Sequence, residues 1–307
     1  MLWSGEILSS DAGGALVDFY SLLLSDQHGI ARRLASNKQG NYSINPGRSA
    51  VLPALVKSFP DNVELEAELT FTGAGDGPAV RRVAADQAAL TLRQHVSLVR
   101  LPGPGFTPRP YHPASGANAA RQVDMAAPLG GELEVRWPRR HRLQKTDPGA
   151  ASSTVVKPIV YYLDRGISEP VRSALLEGAR WWASGFEKAG LINAYRVELL
   201  PEGVDPMDIR YNTINWVHRD ERGWSYGSSV VDPRTREIIK GVVTLDSQRM
   251  RQDLLIAESL LAPHGEPGRG ADPGLRAEIT NIVLARLRQL AAHEIGHTLG
   301  FARCGEI

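Results

Sequence analysis

The sequence predicts an α+β protein built of a β-rich N-terminal module, residues 1–150, and a second domain, residues 151–307. Two long stretches of alternating apolar and polar residues favour β-strands in the first part, because neighbouring side chains of a strand point to opposite faces. The second part alternates strand and helix patterns and closes on a long helical pattern. This order is typical of a mixed, twisted sheet that is covered by helices.

In the N-terminal module, residues 63–71 and 89–100 carry the alternating patterns and are predicted to be strands. His28 and His95 stand alone there, so we expect them to be surface or hydrogen-bonded residues rather than ligands. Residues 102–128 are rich in Pro, Gly and Ala, a composition that neither packs a core nor sustains a helix. We therefore predict a crossing segment between the two modules, with ordering by wrapping the second module as the alternative, and a domain boundary near residue 150.

The second domain opens with a β-branched and aromatic strand over residues 155–163. An apolar stripe at helical spacing predicts one helix over residues 171–189, closed by Gly190. The adjacent Trp181 and Trp182 are interpreted as core packing rather than a ligand cage. A strand follows over residues 195–200, and the strand–helix–strand order implies parallel pairing through a right-handed crossover.

A third strand is predicted over residues 209–217, followed by a hairpin whose strands, 228–231 and 237–245, flank a turn at residues 232–235. A short amphipathic helix over residues 254–261 and a Gly/Pro-rich loop over residues 263–274 come next. The last helix shows apolar residues at three- and four-residue spacing and carries His293, Glu294 and His297 near its end.

His293 and His297 are one helical turn apart, so both imidazoles project to the same side and can share one metal ion. Glu294 can then reach a water on that metal as a general base. Gly300 is placed to end the helix, because glycine adopts the left-handed conformation that many helix ends require. A solvated histidine pair is the alternative interpretation of this H-E-x-x-H pattern.

The motif resembles the metzincin signature H-E-x-x-H-x-x-G-x-x-H, and the chain from about residue 10 to Ala302 resembles a family of large bacterial zinc-dependent metalloproteases with a metzincin-like catalytic domain. That resemblance implies Zn²⁺ as cofactor and a peptide or protein as substrate. It also implies a substrate-binding edge strand, for which residues 226–231 are the candidate; as a β segment they could equally be purely structural. The matching stretches lie at residues 157–164, 175–182, 200–208, 223–227, 231–241 and 288–294. The proposed substrate-binding residues of the edge strand are Tyr226, Gly227, Ser228, Ser229 and Val230.

The chain departs from the signature at the third ligand, where the family has His and this sequence has Arg303. A guanidinium cannot donate a lone pair to a cation, and Cys304 stands one position late. The sequence then ends without the family's Met-turn, and we expect a truncated catalytic domain that lacks its C-terminal subdomain. Its start shows no export signal, so the literal chain is expected in the cytoplasm and intact relatives outside it.

Three interpretations follow. The chain is a zinc metallopeptidase impaired by truncation, an inactive fragment that still binds peptides, or an interaction protein whose metal helix is a relic. A net charge of +1 argues against a nucleic-acid surface. The basic cluster at residues 139–142 is predicted to be a solvated strand or loop. No apolar run reaches the ~20 residues of a membrane span, and one cysteine excludes an internal disulfide framework.

Overall fold

The computed structural model describes residues 6–11, 13–219, 224–261 and 273–302. The protein is α+β, as predicted, and folds as two compact units, Met1–Arg100 and Leu101–Ile307. This division precedes the boundary expected near residue 150, because residues 101–150 bond to later parts of the second unit. The Arg142 guanidinium, for example, donates two hydrogen bonds to the Glu237 carboxylate, at 2.9 and 2.7 Å.

The first unit is organised around one long strand, β6, which pairs antiparallel with every other strand of its sheet. Its alternating sequence buries Ala67, Leu69 and Phe71 on one face, against Leu23 and Tyr42. The two strands predicted here are confirmed. The strands of this unit are β1 (Ile7–Asp11), β2 (Gly14–Val17), β3 (Asn41–Ile44), β4 (Ala50–Val51), β5 (Lys57–Ser58), β6 (Asn62–Ala74) and β7 (Ala89–Val99); its helices are α1 (Tyr20–Leu23), α2 (Ile30–Ser36) and α3 (Pro78–Val83).

The opposite face of β6 is also covered, which the alternating pattern does not predict. Glu64 is only 4% exposed, and its carboxylate lies 2.6 Å from His95 Nε2 on β7. The hydrogen-bonded structural role expected for His95 is therefore confirmed.

The second unit holds a five-stranded sheet in the order β13-β11-β14-β16-β15. Its first four strands are parallel, including the predicted β11–β13 pair, and β15 runs antiparallel to β16 at the edge. The predicted hairpin is therefore confirmed. The strands of this unit are β8 (Ala119–Val123), β9 (Glu134–Pro138), β10 (Ser153–Thr154), β11 (Ile159–Leu163), β12 (Leu191–Ile192), β13 (Tyr195–Leu199), β14 (Asn212–Val217), β15 (Tyr226–Val231) and β16 (Ile238–Asp246).

The helices of the second unit pack on this sheet and on each other. The single helix predicted over residues 171–189 was wrong in one respect: it is divided at Trp181 into two helices. Gly178 lets the first of them approach the last helix closely, because a Cβ there would lie 2.1 Å from the Arg288 carbonyl oxygen. The helices are α4 (Val171–Arg180), α5 (Trp182–Lys188), α6 (Ser247–Leu261) and α7 (Pro273–Leu299). Most of the predicted loop at residues 263–274 lies outside the described residues.

In the segment before residue 150, one strand was not predicted and one prediction was wrong. No strand pattern is evident in residues 102–128, yet β8 forms there and pairs with β9 across the following turn, and Gly116 and Asn118 bond to Ala302 and Gly300 as the wrapping alternative requires. The basic cluster at residues 139–142 is half-buried rather than solvated. The Arg140 guanidinium lies over the Phe106 ring at 4.0 Å, and Arg142 pairs with Glu237. Both partners are distant in sequence, so charge density alone misled the prediction.

In the part of the chain that the structure describes, no helix is both long and apolar enough to cross a membrane.

Candidate metal centre

Helix α7 ends at the glycine that the sequence marked. Gly300 has a φ of +106°, the Gly300 N–H donates to the His297 carbonyl at 3.2 Å, and the Phe301 N–H donates to the Gly296 carbonyl at 3.0 Å. These two bonds form a Schellman motif, which satisfies carbonyl groups that the helix end would leave unpaired. A Cβ at Gly300 would also lie 2.2 Å from the Arg139 carbonyl oxygen. Both the backbone conformation and the space therefore require glycine.

The two histidines of the motif lie side by side, as their spacing predicts. Their Nε2 atoms are 3.2 Å apart, and their rings are perpendicular with centroids at 4.8 Å. Two nitrogens that bind one tetrahedral zinc ion at about 2.0–2.1 Å lie about 3.3 Å from each other. The His293 and His297 side chains are thus spaced as a bidentate metal site requires.

Only the histidines of this helical segment reach solvent. From Ala291 to Gly300 every residue is buried except His293 and His297, which are half-buried. A ligand approaching this part of the helix therefore meets the two imidazoles.

A backbone carbonyl orients the ring of His297. Its Nδ1 lies 3.1 Å from the Phe301 carbonyl oxygen, and since a carbonyl can only accept, Nδ1 carries the proton. Metal-ligating histidines in proteins almost always donate their second N–H in this way, which fixes the tautomer and the orientation of the ring. Phe301 could not be identified from the sequence, because a backbone carbonyl leaves no signal in residue type.

Glu294 lies buried beside the pair and is 6% exposed. Burial raises the pKa of its carboxyl group, while both imidazoles and a backbone hydrogen bond from Gly227 act in the opposite direction. A raised pKa makes a carboxylate a better proton acceptor near neutral pH. The group is therefore suited to general-base chemistry.

The candidate substrate strand, β15, lies at the edge of the sheet and against α7. Tyr226, Ser228 and Val230 are exposed, whereas Gly227 and Ser229 alternate with them and are half-buried. A Cβ at Gly227 would lie 2.1 Å from the Glu294 carbonyl oxygen, and Ser229 Oγ donates to the Thr298 carbonyl at 3.4 Å. The structure thus brings Gly227 and Ser229 against the helical motif, whereas the other three strand residues alternate with them and face solvent.

A third ligand is not found among residues 6–11, 13–219, 224–261 and 273–302, where no group of three His, Cys, Asp or Glu side chains is arranged to hold a metal ion. Arg303, Cys304 and Glu306 lie outside the described residues. His141 also lies near the helix, and its Nε2 donates to the Thr298 carbonyl at 3.2 Å. Two nitrogens fit a zinc ion here, and the third-ligand position of the signature remains Arg303.

Comparison with known proteins gives one match. A family described as "Domain of unknown function (DUF5117)" matches residues 4–146, which is less than half of the chain and ends before β11 and the motif helix. None of the curated proteins and none of the solved structures matches this chain.

Proposed function

We propose that helix α7 and strand β15 form the metal and substrate site of a zinc metallopeptidase with a metzincin-like catalytic domain. The observation that supports this most is the 3.2 Å separation of two Nε2 atoms at the only solvent-reaching positions of a buried helical segment. His293 and His297 would hold the metal. A zinc ion bound by these two imidazoles would supply Lewis-acid chemistry for a peptide carbonyl and a water molecule.

The residues of the chain would divide the remaining work. The Glu294 carboxylate accepts the proton of the attacking water and returns it to the leaving amine. The edge strand β15 binds an extended peptide as an added strand, since β15 is the last strand of its sheet. Gly227 keeps this strand close to Glu294, because any larger residue would collide with the Glu294 backbone.

Arg303 weakens the proposed site. An arginine side chain supplies no lone pair to a metal ion. We therefore expect weak zinc binding and slow turnover in this sequence. The second candidate function, an inactive peptide-binding module, is favoured by the same residue and uses the same edge strand.

Zinc affinity and peptide cleavage should be measured for the unmodified chain, Arg303→His and the double variant Arg303→His/Glu294→Gln. Arg303→His should tighten zinc binding by at least about tenfold, the size of effect that even outer-shell contacts have at metal sites. Adding Glu294→Gln should keep that affinity and lower cleavage by about 10²–10⁴-fold, the usual contribution of a general base.

Arg32→His is the matched control, because it adds a histidine at an exposed position of the first unit; it should leave zinc affinity unchanged. Peptide binding that persists with a chelator, together with no cleavage by Arg303→His, would favour the binding module instead. If neither the unmodified chain nor Arg303→His binds zinc, the proposed metal site itself is contradicted.

A further inference from the structure

Trp182 contacts the motif on both sides of its two histidines. Its indole Nε1–H donates to the carbonyl of Ala292, the residue before His293, at 2.8 Å. The face of the same indole stacks on the ring of Phe301, with centroids 5.0 Å apart and planes inclined by 17°. One side chain on α5 therefore connects the start of the motif with the turn that follows it.

Phe301 connects the contact with Trp182 to the two histidines of the candidate metal site. Its carbonyl accepts the His297 Nδ1–H at 3.1 Å, yet its own side chain is 37% exposed. The ring stacks on Trp182, which ties this residue to α5. Without the stack, the turn at Phe301 would be held by its backbone hydrogen bonds alone, and a small shift of the turn would lengthen the bond from His297 to the Phe301 carbonyl.

A distant segment fixes the backbone on both sides of Phe301. The Asn118 N–H donates to the Gly300 carbonyl at 2.6 Å, and the Ala302 N–H donates to the Gly116 carbonyl at 2.9 Å. Ala117 and Phe301 thereby form an antiparallel β-bridge. These hydrogen bonds set the backbone direction at Phe301. The stack on the Trp182 indole sets how closely Phe301 packs against α5.

We propose that Trp182 is a positioning residue of the metal site. Through Phe301 it holds the His297 ring in the Nδ1–H tautomer, with Nε2 turned toward His293. This inference rests on the proposed metal site and adds to it the residue that organises the second ligand. Outer-shell partners of ligating histidines change metal affinity by about 10–100-fold when they are removed.

The test uses the full chain and two independent variants that break the stack. Trp182→Leu removes the indole, and Phe301→Ala removes the other ring while it keeps the carbonyl. Trp182→Phe is the conservative variant, since it retains an aromatic face but not the N–H that reaches Ala292. Trp181→Leu is the matched control, because Trp181 is adjacent in sequence and 38% exposed.

Two quantities should be measured at a pH where the imidazoles are neutral. Nitrogen NMR of the metal-free protein reports the tautomer of His297, and titration with Co²⁺ reports metal affinity. Trp182→Leu and Phe301→Ala should both lose the Nδ1–H preference and weaken Co²⁺ binding by about tenfold or more. Trp182→Phe should recover most of the tautomer preference, and Trp181→Leu should match the unmodified chain.

The outcomes separate this inference from the proposed function. If Trp182→Leu and Phe301→Ala show the same thermal unfolding as the unmodified chain, yet keep the Nδ1–H tautomer of His297, Trp182 does not position His297. If the tautomer shifts as expected but neither the unmodified chain nor Arg303→His binds Co²⁺, the positioning role stands and the metallopeptidase proposal fails. A tautomer shift in Trp181→Leu as large as in Trp182→Leu would also overturn the inference, because the effect would then be general to this part of α5.

Discussion

The two halves of helix α7 solve different physical problems. In the N-terminal half only one face is covered: Ile279, Val283 and Leu287 are buried, and charged residues such as Arg286 face solvent. In the C-terminal half, from Ala291 onward, every face is covered except at His293 and His297. The first half needs only an apolar stripe, whereas the second needs a partner for each polar group that it buries.

Those partners come from four separate elements. Gly227 of β15 hydrogen-bonds the Glu294 side chain, and the Tyr161 hydroxyl of β11 donates to Thr298 Oγ1 at 2.7 Å. His141 donates to the Thr298 carbonyl, and Trp182 donates to the Ala292 carbonyl. A buried polar group without a partner costs about 1–3 kcal/mol, so this half of the helix can carry a polar motif only because the surrounding fold supplies the bonds.

The largest expected change in the free energy of unfolding concerns the apolar stripe in the N-terminal half of α7. Leu287 is fully buried, so Leu287→Ala should lower the free energy of unfolding by about 2–5 kcal/mol through lost burial and the cavity left behind. Ile282 is 38% exposed on the same helix, and Ile282→Ala should cost about 1 kcal/mol or less. Urea unfolding followed by tryptophan fluorescence measures both, since most of the tryptophans lie in the second unit. Similar losses in the two variants would mean that this half is not one-sided.

A smaller effect tests how tightly the C-terminal half is enclosed. Gly227→Ala places a methyl group 2.1 Å from a backbone oxygen of α7, so the strand must shift, at a cost of about 1–3 kcal/mol. Gly185→Ala is the control, because a Cβ there meets nothing within 4 Å and alanine favours a helix by up to about 1 kcal/mol. The same urea experiment should therefore give opposite signs for the two variants. If Gly227→Ala leaves the free energy of unfolding unchanged, β15 can shift away from α7 at little cost.

A third effect depends on pH. Burial lowers the pKa of His141 from 6.5 to about 4, with the bond to Thr298 acting in the opposite direction. Between these values the unfolded chain binds a proton that the folded chain does not, so stability is fully present above pH 6.5 and is lost as the pH falls toward 4. His141→Gln and His141→Phe should both flatten the dependence of unfolding free energy on pH in this window. An unchanged slope in both variants would rule out His141 as its source.

Much of the local structure could be predicted because it depends on neighbours in sequence. The alternating pattern predicted β6 and β7, the turn residues predicted the β15–β16 hairpin, and Gly300 marked the end of α7. The one-turn spacing of His293 and His297 likewise predicted that their rings would lie together. Each of these features follows from the fixed periods of helix and strand.

Local sequence patterns gave wrong predictions where contacts with other parts of the chain were needed. The basic cluster at residues 139–142 reads as solvated until Phe106 and Glu237 are brought to it. The apolar stripe of residues 171–189 gives no sign of the break at Trp181.

The sequence by itself determined which atoms are available for chemistry: two imidazoles and a carboxylate within one helical turn, and an arginine where the signature has its third histidine. Tertiary structure alone decided how those atoms are held. The edge position of β15 and the burial of Glu294 depend on contacts between residues far apart in the chain. The carbonyl that orients His297 is only four residues away, but Asn118 and Gly116 hold the backbone on either side of it. Helical periodicity is a local property of the backbone, whereas desolvation and hydrogen-bond partners are set by whichever elements pack around a group.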